Sequence, residues 1–136
     1  MKKALILFLL TAIFNVHFLI SAETVKIKDI RAKLAAMSES DLSNYSVQIK
    51  GKAVEMEKGW IASIKNFDST SDIVYVELDR PDPYKLVPDL SFVIDKKISK
   101  RLSELQMLYF NATIEGYDEE TKILKVKDIF LSGIMR

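Results

Sequence analysis

The chain has no cysteine, one histidine, one tryptophan, three prolines and four glycines in 136 residues. Each shortage excludes something. Without cysteine there are no disulfides, no thiolate metal ligands, no thiol nucleophile and no acylated lipoprotein cysteine. Small exported domains often depend on disulfide staples, so this one must hold itself by packing alone. The one histidine, His17, falls in the hydrophobic N-terminal segment. With that segment removed the domain has no imidazole, which excludes Ser–His–Asp, Cys–His and His-based metal chemistry. An excess of one charge is also lacking, since 20 Lys and Arg face 19 Asp and Glu. Phosphate neutralisation by basic side chains supplies most nucleic-acid affinity, so the near balance disfavours a nucleic-acid partner.

One long apolar run is present, and it opens the chain. Lys2 and Lys3 precede an uncharged stretch, Ala4 to Ile20, rich in Leu, Ile and Phe, and Ser21-Ala22 supplies small residues before Glu23. That order predicts a signal peptide over residues 1–22 and an exported protein, periplasmic or secreted. The alternative is an uncleaved membrane anchor over residues 4–20. The run has 17 residues, short of the ~20 that span a bilayer, and Asn15 and His17 interrupt it. Cleavage after Ala22 would put Ile20 at a position that favours a small residue. Residues 23–136 then form a 114-residue remainder, with 18 basic against 19 acidic residues once Lys2 and Lys3 are gone. That is enough for one small domain with one core.

The remainder divides into residues 23–44, a linker and N-terminal helix, and residues 45–136, a barrel domain. Ile30, Leu34, Met37 and, less regularly, Leu42 recur at helical spacing in KDIRAKLAAMSESDL, with Ser38 to Asn44 reading as the helix end and a turn. From Tyr45 the period becomes two: Tyr45, Val47 and Ile49 share one face, and after Gly51-Lys52 the phase passes to Val54 and Met56. A glycine kink or bulge at Gly51 reconciles the slip and gives a long, bent first strand. Lys58-Gly59 reads as a tight turn. Trp60, Ala62 and Ile64 then alternate with Ile61, Ser63 and Lys65 in a second strand.

Ile73 to Leu78 predicts a strand with Val74, Val76 and Leu78 inward, and prolines 81, 83 and 88 make Arg80 to Asp89 a connection. A short strand over 90–95 and a helix over 96–105 follow, the helix on the spacing of Ile98, Leu102 and Leu105; one helix from Asp89 is the competing reading. Met107 to Gly116 and Lys122 to Leu131 form a hairpin with an acidic tip. Its first strand turns Leu108, Phe110, Ala112 and Ile114 to one face, and its second changes phase near Asp128.

These elements give a mainly β chain with helices (α+β): a five- to six-stranded OB-like barrel preceded by a short amphipathic helix. The segments VQIKGKAVEME, DIVYVELD, SFVIDKKISKRLSEL, MLYFNATIEGYD and KILKVKDIFL resemble exported bacterial OB-fold proteins related to the anticodon-binding OB domain of tRNA synthetases, the tRNA-anti-like group. The resemblance covers about residues 45–132. It implies a five-stranded Greek-key barrel and, by descent, nucleic acid; the function itself does not follow from the fold.

OB ligands lie across the second and third barrel strands, so the face out of phase with the core carries the candidate site: Ile61, Ser63, Lys65, Ile73, Tyr75 and Glu77, with Lys50 and Lys52 nearby on the first strand. Tyr75 offers a stacking platform and Lys50, Lys52 and Lys65 offer charge, as single-strand binders use, with Glu77 beside them. The same residues also suit a plain soluble surface. Trp60, in phase with Ala62 and Ile64, reads as a plug of one barrel end. Lys96, Lys97, Lys100 and Arg101 make the densest basic cluster, read as a solvated helix face supported by Glu104 four residues after Lys100. The carboxylates at Asp118, Glu119 and Glu120, and at Asp79, Asp82 and Asp89, lack the spacing of a calcium loop. No catalytic residue, metal site or cofactor is assigned.

The expected function is an exported, non-enzymatic OB-fold binding module for a protein, glycan or small anionic ligand. The alternatives are an extracytoplasmic single-stranded nucleic-acid binder and a carboxylate- or metal-dependent hydrolase. A membrane partner follows only if the leader is uncleaved.

Overall fold

Two helices, where the sequence pattern predicts one, precede the barrel. The computed structural model describes residues 25–79 and 87–135. The leader expected over 1–22 lies outside them, as does most of the proline-rich connection. Among the described residues no helix is long and apolar enough to cross a membrane. A short strand β1 (Val25–Lys26) leads into α1 (Ile27–Ala36), and α2 (Glu39–Ile49) follows after the extended residues Met37 and Ser38. Helix α1 buries Ile27, Ile30 and Leu34, a stripe at i, i+3 and i+7.

Helix α2 corrects the strand expected from Tyr45. The residues it turns inward are Leu42, Tyr45, Ser46 and Ile49, at i, i+3, i+4 and i+7, while Val47 is 65% exposed. The apparent alternation of Tyr45, Val47 and Ile49 is therefore accidental. It misled because the buried stripe contains a serine, whose hydroxyl is satisfied by donating to the Ser43 carbonyl at 2.8 Å. Gly51 is accordingly no strand kink. With φ +83° it ends α2 in the left-handed conformation, and its N–H donates to the Ile114 carbonyl at 2.8 Å. A Cβ there would meet nothing within 4 Å, so only the backbone resists substitution. Gly51→Ala is expected to cost about 1–2 kcal/mol in urea unfolding. An unchanged midpoint would contradict this account of the turn.

The barrel is built from β2 (Ala53–Asn66), β3 (Ser71–Glu77), β4 (Leu90–Asp95), β5 (Met107–Asp118) and β6 (Ile123–Met135). Hydrogen bonding runs β2–β3–β4–β6–β5 and returns to β2, closing the sheet, with β1 added outside β2. Pairing is antiparallel around the barrel except between β4 and β6, which run parallel. The fourth barrel strand thus lies beside the first, the 4-1-2-3 order of a Greek key, and the chain has the expected OB-like α+β barrel.

Closure depends on β2 serving two neighbours. Its first part pairs with β5, from Ala53↔Thr113 to Trp60↔Met107, and its last part pairs with β3, from Trp60↔Glu77 to Asn66↔Asp72. Bulges between Met56 and Gly59 and between Ile61 and Ser63 bend it. A long bent strand is therefore present, but not the one expected from Tyr45 with a kink at Gly51: it starts at Ala53 and joins the expected first and second strands through Lys58-Gly59, which is not a turn. From the second bulge onward the expected facing holds, with Ala62 buried and Ile64 packed on the core, but ahead of it Trp60 and Ile61 are exchanged. Ile61 is fully buried, so it leaves the candidate outer face, while Trp60 is only half-buried and stands outside the core cluster it was expected to plug.

The remaining expectations hold more closely. Val74, Val76 and Leu78 are buried, as are Leu108, Phe110, Ala112 and Ile114, and the phase change in β6 falls at Asp128, with φ +52°. Phe92 and Phe110 meet at the centre with ring centroids 5.4 Å apart and tilted by 57°. Ile27, Ile30, Leu34 and Ile49 join the same cluster, so the helices belong to the barrel's core. The strand over 90–95 is present, but the helix after it, α3 (Lys96–Ser99), has only four residues. Leu102 is buried while Ile98 and Leu105 are exposed, so the expected apolar helix face does not form, and Lys100 and Glu104 do not share a helix. What fixes α3 is Asp72 on β3, which accepts from Ser99 Oγ at 2.5 Å and from Lys96 Nζ at 3.0 Å. These donors hold the Asp72 carboxyl below its usual range.

Candidate functional site

The structure separates the residues expected to form one face. Lys65 and Tyr75 do meet across β2 and β3, with Nζ 5.5 Å from the ring centroid. The lysine therefore covers the ring that was expected to stack on a ligand. Lys50 caps the end of α2 and Lys52 lies in the following turn, neither of them on a strand. Their neighbours are on β5: the Lys52 carbonyl accepts from the Ile114 N–H at 2.9 Å, and a Cβ on Gly116 would touch Lys50 Cε at 3.7 Å. Lys65 sits near the opposite end of β2, so the lysines do not converge.

Glu77 belongs to a different neighbourhood again. It is only 6% exposed, and its carboxylate accepts the Val87 N–H. Burial pushes its carboxyl above the usual range, with Asp89 and Asp79 adding to the push and the Val87 bond and Arg31 opposing it. A raised carboxyl pKa favours the neutral acid in the fold. Its contribution to stability is therefore full below the unfolded value of about 4.3 and is lost as pH rises through the folded value. Glu77→Gln keeps an oxygen for Val87 and removes that titration. It should gain stability relative to the parent between about pH 4 and pH 7 in urea titrations. The same offset at both pH values would contradict this.

Around Glu77 the structure gathers a site that sequence spacing does not reveal. Asp89 is its hub. Its backbone N–H donates to the Val76 carbonyl and its carbonyl accepts from the Leu124 N–H, both at 2.9 Å. Its side chain accepts the Leu78 N–H at 2.9 Å and pairs with Arg31 at 3.1 Å. Arg31 also reaches Asp79 at 2.5 Å. Burial opposes the charge on Arg31, but the bond to Asp79 and the fields of Asp89 and Glu77 outweigh it and raise the guanidinium above its ordinary pKa. One residue thus ties the end of β3, the start of β6 and helix α1 together.

Beside this clamp lies a cleft of about 750 Å³. Helix α1 supplies Arg31, Leu34 and Ala35, on one face at i, i+3 and i+4. Met37, Glu39 and Leu42 come from the connection and the start of α2, and the barrel adds Leu78, Asp89, Tyr117 and Leu124. The tip of the β5–β6 hairpin closes the far side with Glu119, Glu120 and Lys122. That tip is held by Asp118, whose carboxylate accepts from the Glu120 N–H at 3.0 Å and the Thr121 N–H at 3.2 Å. Those bonds, the one from Thr121 first, lower the Asp118 carboxyl. Tyr117 is shifted the other way: burial raises its phenol, and Glu119, Asp118 and Asp89 raise it further.

The volume is that of ligand-binding pockets, and apolar walls with a few convergent polar groups are their usual lining. Lining carboxylates outnumber lining cations, with Glu39, Asp89, Glu119 and Glu120 against Arg31 and Lys122. Among the described residues no group of three or more acidic or histidine side chains is placed to hold a metal ion. Sequence spacing singles out Asp79, Asp89 and the acidic tip but gives no reason to place Arg31, Leu34 or Tyr117 with them; the fold does so. Comparison with protein-family models, curated proteins and solved structures found no match to this chain.

Proposed function

We propose that the chain is an exported, non-enzymatic OB-like binding module, working in the periplasm or outside the cell without a cofactor, and that its ligand enters the cleft between α1 and the β5–β6 hairpin tip. One observation carries this reading: a ligand-sized cleft, part apolar and part charged, framed by a clamp that fixes three elements around it. The Asp89 carboxylate, which would be the natural acid or base there, is already bonded to Leu78 and Arg31, which favours binding over catalysis. Kinship with the exported tRNA-anti-like OB proteins is part of the same proposal. An anionic ligand would need Lys50, Lys52 and Lys65 together, and these do not converge.

The test is amide-resolved NMR of the full chain during titration with a fragment library of amines, carboxylates and sugars. Shifts should gather on Leu34, Tyr117, Glu119 and Leu124. Shifts gathering on Lys65, Tyr75 and Val93 would overturn the proposal and return the site to the β2–β3 face.

A further inference from the structure

The cleft also indicates what kind of ligand it takes, and this inference rests on the binding role proposed for it. Arg31 is satisfied by Asp79 and Asp89, so it has little charge to offer an anion. The other lining carboxylates, Glu39 at the start of α2 and Glu119 and Glu120 on the hairpin tip, differ. Glu39, Glu119 and Glu120 are exposed, line the cleft, and form no ion pair with a described residue. Among the described lining residues, Lys122 alone stands with them as a counter-charge. The tip that carries Glu119 and Glu120 is not loose, because Asp118 holds its backbone through two bonds. Between the rims the walls are apolar, with Leu34, Leu78 and Leu124 buried and the Tyr117 ring half-buried.

A carboxylate rim around apolar walls is complementary to a cation carried on an apolar body. The tyrosine ring adds a face over which such a cation can sit. An anion of the same shape would find Lys122 alone as an uncommitted lining cation and would meet two excess negative charges among the described lining residues. We infer that the cleft binds a cationic amphiphile, meaning an ammonium or guanidinium group on an apolar body, with the cation at Glu119 and Glu120 and the apolar part against Leu34 and Leu124. The source is either a free alkylamine or a basic side chain flanked by apolar ones in a peptide.

The experiment is calorimetric titration of the full chain with hexylamine, hexanoate and a capped leucine–arginine–leucine tripeptide. Hexylamine and hexanoate share one apolar body and differ in charge. At least one cation should bind about tenfold tighter than hexanoate, a charge preference of about 1.4 kcal/mol. The tighter of the two cations identifies the source. The preference should shrink to less than about threefold in the double variant E119Q/E120Q and in high salt, where rim charges are neutralised or screened. Hexanoate binding as tightly as either cation, a preference that survives E119Q/E120Q, or no heat from either cation would overturn the inference. Ala35→Trp, which fills the cleft from an exposed helix position, separates the two levels. If hexanoate binds as tightly as the cations and Ala35→Trp abolishes that binding, the cleft stands and the ligand class falls. If it changes no probe's affinity, the cleft itself is not the binding site.

Discussion

Phe110→Ala should remove about 3–5 kcal/mol of stability, the largest single loss expected in this chain. Phe110 is fully buried on β5, where its neighbours across the ladder are Met56 on β2 and Leu131 on β6. It therefore lies on the strand that closes the barrel, and its ring packs on Phe92 from β4. Truncation removes the transfer energy of the ring and leaves a cavity that strands held on both sides cannot collapse to fill. Domains of this size have only about 5–15 kcal/mol to lose, so the variant should approach half-unfolded conditions far earlier in urea. The fall in Tm should be on the order of 15 °C. Phe110→Leu, which restores part of the volume, should recover much of the loss. A loss below about 1 kcal/mol in Phe110→Ala would mean that the barrel is not packed around this pair.

Ile30→Ala should cost about 2–5 kcal/mol, although Ile30 lies on a helix outside the barrel sheet. Its side chain is 2% exposed and belongs to the same cluster as Val76, Leu78 and Leu124. If α1 is part of that core, its loss is felt by the whole domain. Helical circular dichroism and Trp60 fluorescence should then report one shared transition, shifted together by the substitution. Helix signal melting first, with the fluorescence transition unmoved, would show α1 to be an appendage. That outcome would also undo the cleft, whose one wall is α1.

How far the sequence foretells this molecule depends on where side-chain period and burial agree. In β3 and β5 they do: Val74, Val76 and Leu78, and Leu108 through Ile114, alternate with polar or half-buried residues, so facing and strand type are both legible. In α2 they diverge, because a buried Ser46 and an exposed Val47 disguise a helical stripe as a strand. In β2 two bulges shift the phase, and no local signal tells which of Trp60 and Ile61 goes inward. In α3 the spacing of Ile98, Leu102 and Leu105 is real, but Leu105 takes φ +65° and the helix has already ended at Ser99.

The site is less legible than the fold for a different reason. Arg31 and Asp79 are 48 residues apart, and Asp89 is farther still. Their pairing follows from docking α1 across the ends of β3 and β6, which no spacing in the chain encodes. Lys65 and Tyr75 share a face as expected, but the fold brings the two side chains to each other. Lys50 and Lys52 fall on a strand only if α2 is one. Once that segment is helical, both move to the β5 side of the molecule.

The central claim is that ligands enter the cleft and not the outer β2–β3 face. It is tested most directly by the dissociation constant of the tightest fragment hit, compared in Ala35→Trp and Tyr75→Ala by calorimetry. Both substitutions change surface or cleft positions and leave the core residues intact. The cleft predicts at least about a tenfold loss of affinity in Ala35→Trp and an unchanged value in Tyr75→Ala, tenfold corresponding to about 1.4 kcal/mol. Full affinity in Ala35→Trp with a comparable loss in Tyr75→Ala would contradict it.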